Sequence, residues 1–364
     1  MMTFLGLGML LTLFYNAVLT AVDVVAWRWL LRKPSLLRWL AVMLAVGAVV
    51  VMMAALTAVS SFAFFRNLSF GLFGHVALLL LLSVFWLREV SKLLSVVCGA
   101  AALALWAVAF DAFLIEPTWL DVSHREIASE KLTRPLRVVV VADLQTDRLG
   151  DYERRVLRLA ADQEPDLLLF AGDYVHCHDR KARYSIIRQI NGYLRELELT
   201  APAGMFAVQG NIDDERWRDA FDGSGVMAVH DTQTFEMDGL LLTCLSRQDS
   251  FHSGLTIEND QPGKFHIVLG HSPNFALGQV QADLLLAGHT HGGQVRLPLV
   301  GPLLTLSAVP RSWAAGLTEL PDGGKLLVSR GIGMERGSAP RLRFLCRPEL
   351  VVIELVPKPG SSED

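Results

Sequence analysis

The hydrophobic rhythm of this chain changes once, near residue 117. Before that point apolar residues run almost without interruption; after it they come in short bursts between charged, turn-rich stretches. Four front runs, approximately 4–26, 39–65, 70–87 and 93–115, approach or exceed the roughly 20 apolar residues that a membrane-crossing helix needs. A cleaved signal peptide matches poorly, because the first run lacks a basic start and three more follow it. The pattern predicts a four-helix transmembrane domain over 1–117.

The short loops predict an orientation. Arg28, Arg32, Lys33 and Arg38 gather between the first two runs, Arg88 and Lys92 between the third and fourth, and only Arg66 between the second and third. Loops one and three are then cytoplasmic, both termini lie outside, and the polar part faces the periplasm or extracellular side of a bacterial cell membrane. Asp23 and Asp111 fall near predicted membrane boundaries, where hydrated interfacial acids are commoner than intramembrane functional ones.

From Leu136 the pattern alternates between strand and helix. LRVVVVADLQTD reads as a buried β-branched strand stopping at Asp143, and DYERRVLRLAADQEPD has helical periodicity with charged faces. PDLLLFAGDYV, GMFAVQGNIDD, KFHIVLGHSPN and DLLLAGHTHGG supply four more strands, ending at Asp173, Asn211, His271 and the His289-x-His291 pair. Four of the five ends place a glycine just before the polar residue, which lets the backbone turn sharply into a shared crevice. Residues 118–135 read as a linker, 136–357 as the α/β domain and 358–364 as a flexible tail.

Composition refines this picture at two points. A formal net charge of −4 and the lack of a basic, aromatic-studded stripe exclude a nucleic-acid partner. Four cysteines, Cys98, Cys177, Cys244 and Cys346, have no CxxC spacing and read as small buried hydrophobes.

The chemistry follows from the strand ends. Each polar residue alone has an ordinary reading: Asp173 as a helix cap, Asn211 as a turn former, His271 as a satisfied loop histidine. Their repetition at the carboxyl ends of five strands, where α/β folds place ligands, predicts a two-metal site. Two divalent ions about 3.5–4 Å apart need a bridging carboxylate, for which Asp173 is the candidate. Carboxylate, amide and imidazole together suit Mn, Fe, Zn or Co better than an all-oxygen Mg site. Such a pair clamps a phosphate and lowers the pKa of a bridging water.

The ordered set DLQ…GDY…GNID…GHS…GHTHGGQ resembles the calcineurin-like metallophosphoesterase superfamily. The tail GHTHGGQVRLP…LLVSRGIG…RFLCRPELVVIEL is similar to its membrane-associated bacterial branch, the YkuE/YaeI-like proteins. The resemblance covers roughly 136–357 and implies a four-layered α/β sandwich, two mixed sheets flanked by helices. It implies that Asp143 and His291 ligate the first metal, with Gln145 beside them, that Asp173 bridges, and that Asn211, His271 and His289 ligate the second. Asn211 also approaches the substrate phosphate in this family. Asp213 closes the third motif and joins the catalytic candidates. Arg330 and Arg336, in VSRGIGMERG, could steer an anionic substrate, and Gly331 and Gly333 suggest a tight loop by the crevice.

Two positions depart from the family. Gln145 stands where a histidine is usual, and Ile212 stands where a histidine commonly protonates the leaving group, a step worth about 10²–10⁴ in rate. Three explanations stay open: a surrogate acid, with His176 and His178 nearest in sequence; a substrate with a good leaving group; or a non-catalytic metal-binding protein. The expected function is a membrane-anchored phosphoesterase acting on phosphodiesters or phosphomonoesters, on a lipid or envelope substrate. The alternatives are a UDP-diacylglucosamine-type pyrophosphate hydrolase, whose cytosolic substrate conflicts with the predicted orientation, and a membrane sensor that binds metal or phosphate without turnover.

Overall fold

Apolar runs free of proline have one backbone solution in an apolar surrounding, the helix, which satisfies every peptide group internally. In the computed structural model, which describes residues 4–32, 35–237 and 239–358, the front runs form α1 (Phe4–Leu30), α2 (Leu36–Thr57), α3 (Ser61–Phe70), α4 (Ala77–Leu87) and α5 (Lys92–Phe110). A π-helical turn at Gly71–Val76 joins α3 to α4, and another at Asp111–Ile115 extends α5. Four spans, Gly6–Leu30, Leu36–Thr57, Ser61–Leu87 and Lys92–Thr118, are long and apolar enough to cross a membrane. Large side chains such as Leu37, Leu44, Leu56 and Leu93 point outward, a surface suited to lipid.

The second and third helices divide differently from the sequence expectation. The apolar run predicted over 39–65 contains a turn: α2 stops at Thr57, and Ser60 caps α3 by accepting from the Ala63 N–H at 3.2 Å. The turn is uncharged, so hydropathy passes through it, and the serine cap was the legible signal. Asp23 is engaged within the bundle, its Oδ2 lying 2.6 Å from His75 Nδ1. Lys33 lies outside the described residues. Glu335–Arg341 belongs to this helical unit, with Arg66 Nη1 3.4 Å from the Gly337 carbonyl oxygen.

The second unit spans Glu116–Met334 and resumes at Leu342. Its first strand, β1 (Asp121–Ser129), occupies the stretch expected to be a linker. It escapes a hydrophobicity reading because it is an edge strand, charged along its open side, as edges are kept from aggregating. There follow β2 (Leu136–Val141), α6 (Asp151–Asp162), β3 (Leu167–Phe170), α7 (Arg180–Glu196), β4 (Gly204–Val208), β5 (Met227–Val229), β6 (Gln233–Met237), β7 (Leu240–Cys244), β8 (Thr256–Ile257), β9 (Phe265–Leu269), β10 (Gln279–Val280), β11 (Leu284–Ala287), β12 (Arg296–Leu297), β13 (Gly301–Pro302), β14 (Gly316–Glu319), β15 (Lys325–Val328) and β16 (Glu349–Pro357).

Two six-stranded mixed sheets result, ordered β1-β16-β2-β3-β4-β5 and β14-β15-β11-β9-β7-β6. Alternation builds the layers. Val138 and Val140 of β2 join Leu167, Leu169, Leu242, Ile267 and Leu286 between the sheets. Val139 and Val141 point the other way, onto Val156 and Leu157 of α6 and Ile186 and Ile190 of α7. The outer face of the second sheet packs Val268, Leu285 and Val328 under Phe275. Truncating a fully buried leucine such as Leu169 to alanine would cost about 2–5 kcal/mol.

The four-layered sandwich follows, and it sets β2, β3 and β4 side by side in one sheet and β9 and β11 in the other. Lys358 is tied back to β1 through the Ser129 carbonyl oxygen at 3.0 Å; the rest of the expected tail, 359–364, lies outside the described residues. All four cysteines are free, three buried and Cys177 half-buried.

Candidate metal centre

Each of the five strands stops one or two residues short of its polar residue, so the loops after β2, β3 and β4 face those after β9 and β11. Backbone strain marks the same positions. Asp143 (φ 49°), Gln145 (φ 35°), Asp173 (φ 58°), His289 (φ 70°) and His291 (φ 49°) all take left-handed conformations. Side chains rarely adopt that region, at a cost on the order of 1–3 kcal/mol each, and such strain concentrates at functional sites. Close packing explains the glycines: a Cβ on Gly288 or Gly331 would sit 2.7 Å from Asp143 Oδ2.

His271 is the hub. Its Nδ1 lies 2.8 Å from the Ala171 carbonyl oxygen and 3.7 Å from Asp143 Oδ1; its Nε2 lies 3.0 Å from Asn211 Oδ1 and 3.4 Å from Asp173 Oδ2. Asp173, His271 and His289 each offer a ligand atom within 4.8 Å of the others. Donation to Ala171 fixes Nδ1 as the protonated nitrogen of a neutral His271 and leaves Nε2 facing the cluster. By the same logic, the Leu306 carbonyl oxygen, 3.2 Å from His289 Nε2, leaves His289 Nδ1 free. Phe251 packs against both rings, with centroids 6.0 and 4.9 Å away.

The charges are buried. Burial pushes the Asp143 carboxyl up to about 7, against the opposing pull of His271. Burial also acts to raise Asp173, but the His271 charge and the Ile212 N–H reverse it and take the carboxyl down to about 2. For His271, burial favours the neutral ring; Asp173 and Asp143 outweigh it and bring the group up to about 9. His289 is lowered to about 4 by burial and by His271. His291 falls well below the ordinary range, chiefly through burial and then through Arg343.

These residues fit a metal. Both ring nitrogens of His291 are buried with no hydrogen-bond partner, an arrangement that is costly unless a cation accepts a lone pair. Two carboxylates, Asp143 and Asp173, are buried within reach of each other's field. A divalent cation compensates such charge where a single protonated imidazole does so only in part.

Other expected site residues take different positions. Asp213 does not face the cluster. Its Oδ2 accepts from the Asp173 and Gly210 N–H groups, both at 2.8 Å, and its Oδ1 from the Tyr174 N–H at 2.9 Å. It is a positioning residue that sets the bends after β3 and β4. Arg330 pairs with Asp121 Oδ2 at 2.6 Å and Glu349 Oε2 at 3.2 Å, so its charge is engaged at β1 and β16 instead of held toward an anion. Arg336 falls in the segment belonging to the helical unit. His176 Nδ1 lies 3.0 Å from Gln145 Nε2, whereas His178 is exposed. Ile212 contributes its backbone N–H to Asp173 Oδ1 at 3.0 Å.

Two residues escaped the sequence reading. Phe251 lies in a polar stretch with nothing to mark it. Arg343 is fully buried and donates to the carbonyl oxygens of Arg330 (2.8 Å), Gly331 (3.1 Å) and Cys346 (2.9 Å). It holds the Gly331–Gly333 loop against Asp143. An arginine in an otherwise apolar segment, RFLC, was the available signal.

Residues 136–293 match the calcineurin-like phosphoesterase family. The chain is similar to the uncharacterized metallophosphoesterase YkuE of Bacillus subtilis (strain 168), 27% identical over 262 residues that cover 66% of this chain and 87% of that one. It is 28% identical over 256 residues to the phosphodiesterase YaeI of Escherichia coli (strain K12), covering 66% and 90%. A more distant similarity, 23% over 319 residues, covers 66% of this chain and 94% of the UDP-2,3-diacylglucosamine pyrophosphatase LpxG of Chlamydia muridarum (strain MoPn / Nigg).

Proposed function

We propose that this chain, whose residues 136–293 match the calcineurin-like phosphoesterase family, is a metal-dependent hydrolase of phosphate esters that is anchored in a bacterial cell membrane and cleaves phosphodiesters or phosphomonoesters of lipid or envelope molecules on the outer side. One observation carries the chemical part: four strand ends supply two buried carboxylates and three imidazoles, a fifth supplies the Asn211 amide, Asp143, Asp173, Asn211 and His289 gather around His271, and the His291 ring lacks any partner. The four apolar spans and the arginine-rich loops one and three support the anchor and its orientation.

In this reading Asp143, Gln145 and His291 would hold one divalent ion, Asn211, His271 and His289 would hold the other, and Asp173 would serve both. When bound, the two ions supply the Lewis acidity that activates water and neutralises phosphate charge. The chain's own residues set the geometry. Asp213 fixes the Asp173 bend, Arg343 presses the glycine loop onto Asp143, and exposed Asn211 presents its amide at the mouth, where a phosphate oxygen can accept from it. Ile212 cannot protonate a leaving group. His176, beside Gln145, is the better placed surrogate; His178 faces solvent.

Similarity to a UDP-2,3-diacylglucosamine pyrophosphatase supports a second reading, pyrophosphate hydrolysis on a nucleotide-linked lipid, against which the predicted orientation counts. The purified full chain, assayed with Mn and bis-p-nitrophenyl phosphate, tests the reaction. Turnover should fall by more than roughly a thousandfold in Asp173→Ala, the loss of several kcal/mol of charge stabilisation. Metal binding without turnover over a broad panel of esters would instead establish a sensor. His176→Ala should slow alkyl esters by on the order of 10² or more while sparing p-nitrophenyl esters, and His178→Ala should change neither.

A further inference from the structure

Between Arg296 and Arg311 the chain carries fourteen residues without a single charge, LPLVGPLLTLSAVP. Polar-domain loops of that length normally hide such side chains, yet Leu297, Leu299, Val300, Leu303, Leu304 and Leu306 are all exposed, Leu299 completely. The segment is built, not slack. β12 and β13 pair antiparallel with Arg296 opposite Pro302 and Leu297 opposite Gly301, and Leu299 at the tip takes a left-handed φ of 66°.

The hairpin is fastened to the metal centre at three points. Pro302 packs so closely on Gly293, two residues after His291, that a Cβ there would lie 2.3 Å from the proline Cβ. The Leu306 carbonyl oxygen lies 3.2 Å from His289 Nε2. Asn274, three residues after His271, accepts through Oδ1 from Ser307 Oγ at 2.6 Å and from the Ala308 N–H at 2.8 Å. An apolar projection is thus mounted rigidly on the loops that carry the ligands.

We propose that the 297–306 hairpin is a membrane-dipping element that inserts its leucines into the bilayer interface and brings the metal centre to phosphate esters of lipids. Contiguous exposed apolar surface of this kind marks an interaction site. A bilayer is the occupant the chain itself points to, because the same polypeptide carries four helices long and apolar enough to cross a membrane. The bracketing charges agree. Arg296, whose Nη1 donates to the Gly292 carbonyl oxygen at 3.2 Å, and exposed Arg311 both flank the apolar stretch, a pair of cations that suits anionic headgroups. Leu306 belongs both to the exposed surface and to the His289 contact, so an acyl chain beside the hairpin would place its phosphate near the ligand loops.

The test uses the full chain in nanodiscs of mixed phosphatidylcholine and phosphatidylglycerol, with benzoylphenylalanine at position 299. Illumination should yield lipid adducts detectable by mass spectrometry. Adducts to the chain's own helices, adducts to a second copy, or no lipid adduct would each overturn the proposal. A kinetic arm, which rests on the phosphoesterase reading, compares wild type with the double variant Leu299→Ser, Val300→Ser. Turnover of phosphatidic acid in those nanodiscs should drop at least about tenfold, as insertion of two apolar side chains is lost, while bis-p-nitrophenyl phosphate turnover stays unchanged. Equal loss on both substrates, or no loss on the lipid, overturns it. If wild type turns over neither substrate, the phosphoesterase reading fails, and the crosslinking result still decides the membrane contact.

Discussion

The two halves of the metal centre are finished to different degrees. The acidic half, on the sheet that holds β2, β3 and β4, is closed by backbone donors. Asp213 takes three N–H groups, Asp173 takes that of Ile212, and both oxygens of Asp143 lie 3.0 Å from the His289 N–H. The imidazole half, on the sheet of β9 and β11, is oriented but only partly engaged: His271 spends Nδ1 on a carbonyl and turns Nε2 to Asn211 and Asp173, His289 spends one nitrogen on a carbonyl, and His291 spends neither. The carboxylates must be fixed before a cation arrives, because their mutual repulsion would otherwise open the loops. His289 and His291, kept neutral by burial, carry no such penalty and can wait with free lone pairs. One half is part of the fold; the other is completed by its ligand.

The largest expected effect comes from the unfinished half. His291→Ala should reduce turnover by more than roughly a thousandfold and metal retention by on the order of a hundredfold. Chelated protein should nevertheless unfold within about 1 kcal/mol of wild type, since the imidazole removed was unpartnered. A large loss of chelated stability would show that His291 has a structural partner and break the comparison.

The acidic half should behave in the opposite way. Asp213→Ala strands three buried N–H donors and should cost at least about 3 kcal/mol of stability, with or without metal, by denaturant unfolding. Asp213→Asn, which keeps one acceptor oxygen, should lose less. If both variants unfold like wild type, the bends after β3 and β4 are held by something else.

A smaller effect is titratable. The His271 group, raised to about 9 in the fold, contributes stability that is complete below its ordinary pKa near 6.5 and is lost as pH rises through about 9. Asp143, raised to about 7, holds a proton that the unfolded chain releases near 4, so its contribution also declines, between about 4 and 7. Melting of the chelated protein should therefore drop from pH 6.5 to pH 9. Metal affinity should rise over the same range, because ligation displaces these protons. Calorimetry in buffers of different ionisation enthalpy should record proton release at pH 7.5; proton uptake would contradict the pairing of His271 with the two carboxylates.

Much of this centre was legible because repetition overrode single-residue ambiguity. Asp143, Asp173, Asn211, His271 and the His289-x-His291 pair each follow a short apolar run, and burial on both faces makes those runs nearly continuous. β1 was hidden because an edge strand advertises itself with charge, which reads as linker. The turn at 58–60 was hidden because it carries no charge, so hydropathy runs through it. The partners of Asp213 and Arg330 were hidden for one common reason: residue type reveals what a side chain can bind, whereas its partners, here backbone N–H groups and the carboxylates of Asp121 and Glu349, come largely from elements far away in sequence. The 297–306 hairpin shows the same limit in reverse, since an apolar stretch reads as core until exposure is known.

The central claim is that side chains at 143, 173, 211, 271, 289 and 291 converge on two neighbouring cations. Electron paramagnetic resonance of the full chain titrated with Mn tests it directly. Two ions per chain with an exchange-coupled spectrum are expected, as for ions about 3.5–4 Å apart, with that coupling lost in Asp173→Ala. A single uncoupled ion, or a coupled pair that survives Asp173→Ala unchanged, would contradict it.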